Sequence, residues 1–422
     1  MRDTPNGPRE AYFTNVTQAV DALRQELVDI SLDIHAHPEL NYREHHAAKV
    51  LAGALERHGF QVERGVGGVE TAFRGVMRGG NGDGPTVALL AEYDALPGIG
   101  HGCGHNLIAM STLGAGLGAK AAMESLPGRL IVLGTPAEEG GGGKIRLLDA
   151  GVFTDVDVAL SSHPSSNRTI MPAEIPTDQS WSLAMVGYRY AYHGKAAHAA
   201  VVPHEGINAL NAVIHLFTGI DALRQHLRDD VRIHGIITDG GKAPNVVPDF
   251  AAANFMLRAR DRDYLHEVVE KVRRVAEGAA QITGARLEML PAHPLYEQVR
   301  PNAVLAKTAR ANAEAIGMPI DATPQGWKGG NASTDFGNVS QVLPAYYLRF
   351  AVSQAPVPGH STAMAEAAKS ALAHDNALAT AKVLALTVCD LLTNPELMAA
   401  ARADFGALFG GLRATSGGVS YA

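Results

Sequence analysis

Apolar residues near the start of the chain recur at helical spacing. They lie three or four positions apart and are Val16, Val20, Leu23, Leu27, Ile30 and Ile34. This spacing predicts an amphipathic helix with one face in the core. A second helix is predicted over residues 43–58, and Gly59 favours its end before a short strand at 61–66.

Apolar strands and helices then alternate along the chain. The pattern predicts strands near residues 71–77, 86–91, 129–133 and 156–160, with a helix after Asn106. Such alternation is typical of a three-layer α/β domain with a mostly parallel sheet. Ligands of these sheets bind at the carboxyl ends of the strands, where the polar candidates of this chain also fall.

Residues 181–290 follow a different pattern. A β-α-β-β-α-β order is predicted over 182–192, 208–227, 231–238, 250–258, 262–282 and 286–290. This order describes a ferredoxin-like α+β unit. We therefore predict a catalytic α/β domain formed by residues 1–180 and 291–422, with a second domain inserted at 181–290.

Composition and charge indicate which partners and which cellular location the chain favours. The chain has 36 Lys and Arg against 43 Asp and Glu, and it lacks basic runs interleaved with aromatic residues, which disfavours nucleic acid. The start of the chain has no signal-like apolar region, and no long uninterrupted apolar stretch predicts a membrane span. Cys103 and Cys389 are the only cysteines, which fits a reducing, cytoplasmic location. Among the 18 histidines, His45, His46 and His58 lie in polar helical stretches and are predicted to be solvated.

The densest group of chemically active residues is the segment LLAEYDALPGIGHGCGHN at 89–106. It combines Glu92, Asp94, His101, Cys103 and His105 between glycines that allow tight turns. Zinc favours this mixture of thiolate, imidazole and carboxylate ligands. The alternative is a glycine-rich loop with a buried cysteine and incidental histidines. Dinucleotide binding is disfavoured because Cys103 stands where the third glycine of that motif would fall.

A second group, TPAEEGGGGK, follows the predicted strand at 129–133. Adjacent Glu138 and Glu139 repel each other unless a cation or solvent offsets their charge, so one could bind metal while the other moves protons. An exposed acidic turn is the alternative interpretation. His163 in SSHP follows another predicted strand, and His360 in VPGHS lies far along the chain; each alone could be an ordinary histidine.

Six segments together resemble the dimetal aminoacylase and carboxypeptidase-G superfamily of metallopeptidases. They are DALPGIGHGCGHN, TPAEEGGGGK, SSHP, GKAAHAA, KAPNVVPDFAAANFMLR and VPGHS, and the resemblance extends over about residues 35–392. Within the superfamily they are most similar to the amidohydrolase branch that includes the p-aminobenzoyl-glutamate hydrolases and related mammalian dipeptidase-like proteins.

The resemblance implies a role for each matching position. The implied metal ligands are Cys103, His105, Glu139, His163 and His360. Glu138 would be the general base, and Asp94 a carboxylate that orients a ligand. The wider superfamily has a metal-binding histidine two positions before that aspartate, whereas this chain has Glu92, so the resemblance leaves the role of Glu92 open.

In the inserted domain the resemblance implies substrate contacts. His198 in GKAAHAA would contact the reacting carbonyl, in related dimers at the partner subunit's site, and Asn245 and Arg258 would bind substrate. A turn-forming asparagine and a solvated strand arginine are the alternatives for the last two. Asp335, predicted to lie in a polar loop, matches a motif of the branch without an assigned role. The inserted domain is accordingly expected to serve as a lid and dimerisation domain of a homodimer.

The sequence therefore predicts a metal-dependent amidohydrolase with two divalent ions, zinc being favoured and manganese or cobalt possible. Its substrate would be a small N-acyl amino acid, an aminobenzoyl-glutamate-like compound or a dipeptide. Two other functions stay open at this point. One is an amidase that uses Cys103 as its nucleophile. The other is a non-catalytic binding protein that retains the fold.

Overall fold

The computed structural model describes residues 8–172, 181–323, 330 and 332–409. They divide into two compact units. The first unit comprises Met1–Gln179, Arg300–Lys328 and Asn338–Ala422, and the second comprises Ser180–Val299 and Gly329–Gly337. The sequence predicts that the inserted domain ends at residue 290, but its last strand continues without interruption to Tyr296.

A six-stranded sheet forms the middle of the first unit. Its strands are β1 (Gln61–Arg64), β2 (Phe73–Arg78), β3 (Thr86–Ala91), β4 (Arg129–Gly134), β5 (Val158–Ser165) and β10 (Ala345–Ala351), in the order β1-β2-β4-β3-β5-β10. β4, β3, β5 and β10 run parallel, whereas β2 pairs antiparallel with both β1 and β4. The predicted mostly parallel α/β fold is confirmed.

Helices pack around this sheet. They are α1 (Pro8–Ala22), α2 (Arg24–Ala36), α3 (His45–Arg57), α4 (His105–Met123), α5 (Gly143–Asp149), α8 (Ala303–Ala315), α10 (Thr362–Ala367), α11 (Ala371–Thr393) and α12 (Pro395–Phe409). A short helix, α9, covers Phe336–Ser340. The first predicted helix is divided at Leu23, a turn residue between α1 and α2. Gly59, with φ +82°, follows α3 as predicted.

Two long apolar helices, α11 and α4, are core elements. By length and composition alone α11 could cross a membrane, but 72% of its most apolar window is buried within the fold. α4 is buried along nearly its whole length. Helices of this kind are apolar on all sides because other elements cover all sides.

The second unit has its own sheet and core. Its elements are β6 (Ala184–His193), α6 (Ala209–Arg224), β7 (Arg232–Asp239), β8 (Phe250–Ala259), α7 (Arg262–Thr283) and β9 (Arg286–Tyr296). The four strands are antiparallel in the order β7-β8-β6-β9, which is the ferredoxin-like arrangement that the sequence predicts. Tyr190, Leu216 and Phe255 are among the buried residues between the helices and the sheet.

Candidate metal centre

Parallel strands bring distant segments of the first unit to one edge. β3 is buried along its whole length, and Glu92 and Asp94 follow its carboxyl end. Glu138 and Glu139 follow β4, while His163 lies in β5. Because β3, β4 and β5 are parallel, these side chains meet at the same edge of the sheet.

The loop after β3 leads directly into α4 and presents Cys103 and His105. Gly104 precedes α4 with φ +75°, a left-handed conformation that favours glycine. A Cβ atom at this position would lie 2.9 Å from the Pro164 ring, so the loop could not pass so close to β5 with a larger residue. Glycine therefore allows the thiol and the imidazole to enter the site from neighbouring positions.

His105 lies at the centre of the site and is fully buried. Its Nδ1 is 2.9 Å from Asp94 Oδ1, so Asp94 accepts the ring proton and fixes the tautomer. The other nitrogen, Nε2, lies 3.7 Å from Glu92 Oε2, 3.9 Å from Glu138 Oε2 and 3.8 Å from Glu139 Oε1. Burial would lower the pKa of His105, but Asp94 and Cys103 together outweigh burial and hold that pKa well above its usual range.

Cys103 joins this group to two further histidines. Its Sγ lies 3.6 Å from His163 Nε2, while His163 Nδ1 lies 2.6 Å from the Pro164 carbonyl oxygen that accepts its proton. Burial lowers the pKa of His163 to about 4, so its imidazole is neutral, as a metal ligand must be. On the other side, His360 Nε2 lies 3.5 Å from Glu139 Oε1.

The donor atoms form overlapping groups that fit metal ions. Within each of the sets Cys103, His105, His163 and Cys103, Glu139, His360, one donor atom per residue lies within 4.8 Å of the others. Cys103 is common to both sets. Among the described residues, buried His105 Nε2 and Glu139 Oε1 have no hydrogen-bond partner. Buried polar atoms are normally paired, and these two lie within the donor clusters, where a cation could be their partner.

Three residues missed by the sequence interpretation support the site, and the first is Lys144. Its fully buried ammonium lies 2.7 Å from Glu92 Oε1. Burial would raise the pKa of Glu92, but Lys144 and His105 lower it overall, so this carboxylate stays charged. Glu92 therefore stands in a buried ion pair beside the ligands. A lysine at the end of a glycine-rich segment gives no sign of such a pairing in the sequence alone.

The second and third residues are Asn41 and Glu44, which precede α3. When its amide is oriented to satisfy both of its polar atoms, Asn41 donates to Asp94 Oδ2 at 2.9 Å. Glu44 is fully buried and accepts from the amides of Tyr42 at 3.0 Å and Ala137 at 2.9 Å. No local motif distinguishes either residue, because their partners lie far along the chain.

Glu44 accepts hydrogen bonds from two residues whose backbone has an unfavourable positive φ angle. Tyr42 and Ala137 both have φ +60°, and His360 has φ +53°, values that are uncommon for residues other than glycine. The Ala137 strain orients the two glutamates that follow it. Burial, with the charge of Asp94, raises the pKa of Glu44 to about 7.

The predicted substrate residues lie in the second unit. His198 Nδ1 accepts from the amides of Ala200 and Val201, each at 3.3 Å, so its exposed imidazole carries a proton on Nε2. A β-bridge between His198 and Val246 places Asn245 beside it. The structure thus brings these two predicted residues together on one surface of this unit.

The other two residues of that unit differ in their surroundings. Arg258, in β8, is half-buried and donates from Nη1 to Ser333 Oγ at 2.9 Å. Asp335 is predicted to lie in a polar loop, yet it is fully buried just before α9. Arg258 therefore has a fixed position on the sheet, which a solvated strand arginine would not need.

An α/β unit with thiol, imidazole and carboxylate groups clustered at one sheet edge, in one chain with a ferredoxin-like unit, is the arrangement of a metal-dependent hydrolase. Residues 184–283 match the peptidase dimerisation domain of the M20 family. The human Xaa-Arg dipeptidase is 36% identical over 417 residues, with 95% of this chain and 94% of that protein covered. The chain belongs to the M20 family of metallopeptidases, and it is a metal-dependent amidohydrolase.

Other relatives agree with this membership. A subunit of the p-aminobenzoyl-glutamate hydrolase of Escherichia coli is 31% identical, with 92% of this chain and 94% of that protein covered. Among solved structures, a dinuclear metal-binding peptidase of the M20 family from Bacillus subtilis superposes with TM-score 0.66 at 22% identity, covering 88% of this chain and 99% of its own. The structural similarity shows the shared fold.

Replacing Glu44 tests how the site is positioned. Glu44→Ala should leave the buried Ala137 amide unpaired, lowering the free energy of unfolding by about 1–3 kcal/mol and reducing kcat. Glu44→Gln keeps the size and an accepting oxygen and should fold stably. Thermal unfolding and steady-state kinetics of both variants check this; equal losses in the two variants would contradict a role based on hydrogen bonding.

Glu44→Gln and the wild-type protein also allow a pH test. A raised carboxyl pKa stabilises the fold below its unfolded value of about 4.5 and loses that contribution as the pH rises through about 7. For protein stripped of metal, the Tm of Glu44→Gln relative to wild type should therefore rise across this interval. A pH-independent difference in Tm would mean that Glu44 does not titrate there.

Proposed function

We propose that the protein hydrolyses the amide bond of small dipeptides or N-acyl amino acids with two bound divalent ions, zinc being favoured. One observation carries this proposal. Two buried atoms able to bind a metal, His105 Nε2 and Glu139 Oε1, have no hydrogen-bond partner and lie beside Glu138. Its relatives include an Xaa-Arg dipeptidase, an aminobenzoyl-glutamate hydrolase and an N-acetyl-L-cysteine deacetylase. All three names describe cleavage at an amide of an amino acid.

Cys103, His105, Glu139, His163 and His360 would hold the metals. When bound, the ions would supply Lewis-acid chemistry that polarises a carbonyl and acidifies water. Asp94 keeps a proton on His105 Nδ1, so an ion would bind at Nε2 in place of the second ring proton. Glu138, largely buried beside His105, would accept the water's proton and deliver it to the leaving amine.

The second unit would supply substrate recognition. With Nδ1 engaged by main-chain amides, His198 can donate from Nε2 to the oxygen of the reacting carbonyl as charge develops on it. Arg258 carries a guanidinium suited to a substrate carboxylate. Asn245, beside His198, offers an amide that can donate to a carbonyl.

We also propose a homodimer formed through the second unit. β7 is an edge strand of its sheet, and Ile236 and Ile237 on it are 66% and 46% exposed. Val201 and Val246, close to His198, are also exposed. Exposed apolar edge strands favour pairing with another chain, and two copies of the same strand can pair around a twofold axis.

An amidase with Cys103 as nucleophile fits the surroundings of this residue less well. Burial and the carboxylate of Glu139 raise the pKa of the Cys103 thiol, whereas a nucleophilic cysteine needs a lowered pKa. That mechanism also gives no role to the glutamates. A binding protein without activity would have no need for Glu138 beside the donors.

The function is tested by metal removal and a substrate panel. Protein treated with a chelator, and protein reloaded with zinc, manganese or cobalt, would be assayed on an Xaa-Arg dipeptide, p-aminobenzoyl-glutamate and N-acetyl-L-cysteine. We expect activity to disappear on stripping and to return on reloading, with the highest kcat/KM on the dipeptide. Activity that survives stripping would favour the cysteine mechanism, and inactivity on the whole panel would refute the substrate class.

The two neighbouring glutamates should behave differently. Glu138→Gln removes the proton acceptor, so turnover should fall by roughly 10²–10⁴-fold while metal content stays normal. Glu139→Ala removes a ligand and should lower metal content as well as turnover. Elemental analysis and single-turnover rates separate these effects; near-normal turnover of fully loaded Glu138→Gln would assign the base to another residue.

Shared sites in the dimer can be tested by subunit exchange. If His198 serves the partner's metal centre, mixing inactive His198→Ala with inactive Glu138→Ala protein should restore activity to roughly a quarter of wild type, since about half of the dimers are mixed and each has one complete site. Each variant mixed with itself is the control. Confirmed exchange without restored activity would mean that His198 does not act across the dimer.

A further inference from the structure

A second group of metal-binding side chains lies away from the catalytic centre, where α2 ends and α3 begins. It consists of Asp33, His37 and His46, and one donor atom from each lies within 4.8 Å of the others. His46 Nε2 is 2.7 Å from Asp33 Oδ2, and His37 Nδ1 is 3.2 Å from Asp33 Oδ1. The two imidazole rings are 4.5 Å apart between centroids.

We propose that Asp33, His37 and His46 form a separate site for one divalent transition-metal ion of the zinc class. Zinc bonds of about 2.0–2.2 Å in tetrahedral geometry place neighbouring ligand atoms roughly 3.3 Å apart. The nitrogens of His46 and His37 lie 2.7 Å and 3.2 Å from the Asp33 oxygens, which is close to that spacing. Two imidazoles with one carboxylate suit zinc, copper or nickel, whereas calcium and magnesium prefer oxygen ligands alone.

The accessibility of the three side chains suits an exchangeable ion. They are between 37% and 56% exposed, so an ion can enter and keep water as its remaining ligand. His37 Nδ1 also lies 2.8 Å from the main-chain oxygen of Asp33. An ion bound to His37 Nδ1 would take the place of the ring proton that this oxygen accepts.

The surroundings distinguish His46 from its neighbour. The Glu39 carboxylate accepts from the main-chain amides of His46 and Ala47, which fixes the start of α3 and adds negative charge nearby. His45, in the same helical turn, instead points towards Glu70, with 3.7 Å between its Nδ1 and the carboxylate. His45 is therefore a matched surface histidine outside the cluster.

The chain segment between the ligands of this second site also contacts the catalytic centre. The segment between His37 and His46 contains Asn41, which contacts Asp94, and Glu44, which holds the Ala137 amide. The Glu39 carbonyl also accepts from the Ala95 amide at 2.8 Å. An ion bound between the end of α2 and the start of α3 would limit the motion of this segment and so of the residues that contact the catalytic centre.

Zinc binding to the whole, chelator-stripped protein tests the proposal. Calorimetric titration with buffered zinc, together with elemental analysis, should show that wild type binds one more equivalent than His46→Ala at a free zinc concentration just sufficient to fill the wild-type site. His37→Ala should behave like His46→Ala, and in both variants the affinity of that equivalent should fall by more than about 10-fold. His45→Ala should bind as wild type does.

The comparison does not depend on the catalytic metals, because it uses the difference between proteins with the same catalytic ligands. Indistinguishable isotherms for wild type, His37→Ala and His46→Ala would overturn the site. Equal loss in His45→Ala would also overturn it, since that result would mean binding by surface histidines in general. Circular dichroism of each variant verifies that a lost equivalent does not reflect unfolding.

Discussion

Buried negative charge at the carboxyl edge of the first sheet is the constraint on which the site depends. Acids with little or no exposure collect there: Glu44, Glu92, Asp94, Glu138 and Glu139. Removing a carboxylate from water is costly unless a cation or hydrogen bonds compensate. Lys144 compensates Glu92, and His105 compensates Asp94. The charge that remains around His105 Nε2 accounts for a site shaped to hold divalent ions.

Backbone strain is a second unfavourable contribution to the free energy of this site. Positive φ angles at Tyr42, Ala137 and His360 place residues other than glycine in a sparsely populated conformation, each costing on the order of 1–3 kcal/mol. Such strain persists only where other contacts determine the conformation. The Glu44 carboxylate supplies two of those contacts, and the His360 amide donates to the Gly102 carbonyl at 3.0 Å. These hydrogen bonds hold the loops that carry the proposed ligands.

The sequence predicts much of this site because the ligands lie in local patterns. Cys103 and His105 stand in a glycine-rich loop, and Glu138 follows an apolar strand, so strand periodicity alone places them at one edge of a parallel sheet. The supporting residues lack such patterns. Glu44 and Ala137 are 93 positions apart, and the pairing of Lys144 with Glu92 depends on burial that no single segment reveals. The sequence also presents His46 as solvated, because its partner lies on another helix.

The division of the chain into two units separates two physical requirements. Metal ligands must be placed to a fraction of an ångström, and most of the proposed ligands lie in or directly after the strands of one sheet. Substrate contacts, by contrast, can vary with the substrate, and the residues proposed for them, His198, Asn245 and Arg258, belong to a unit with its own core. A substitution near Arg258 can change recognition without disturbing the charge balance around His105. This separation would allow substrate preference to differ between relatives that share the fold. The names of three of them mention a dipeptide, an aminobenzoyl-glutamate and an acetylated cysteine.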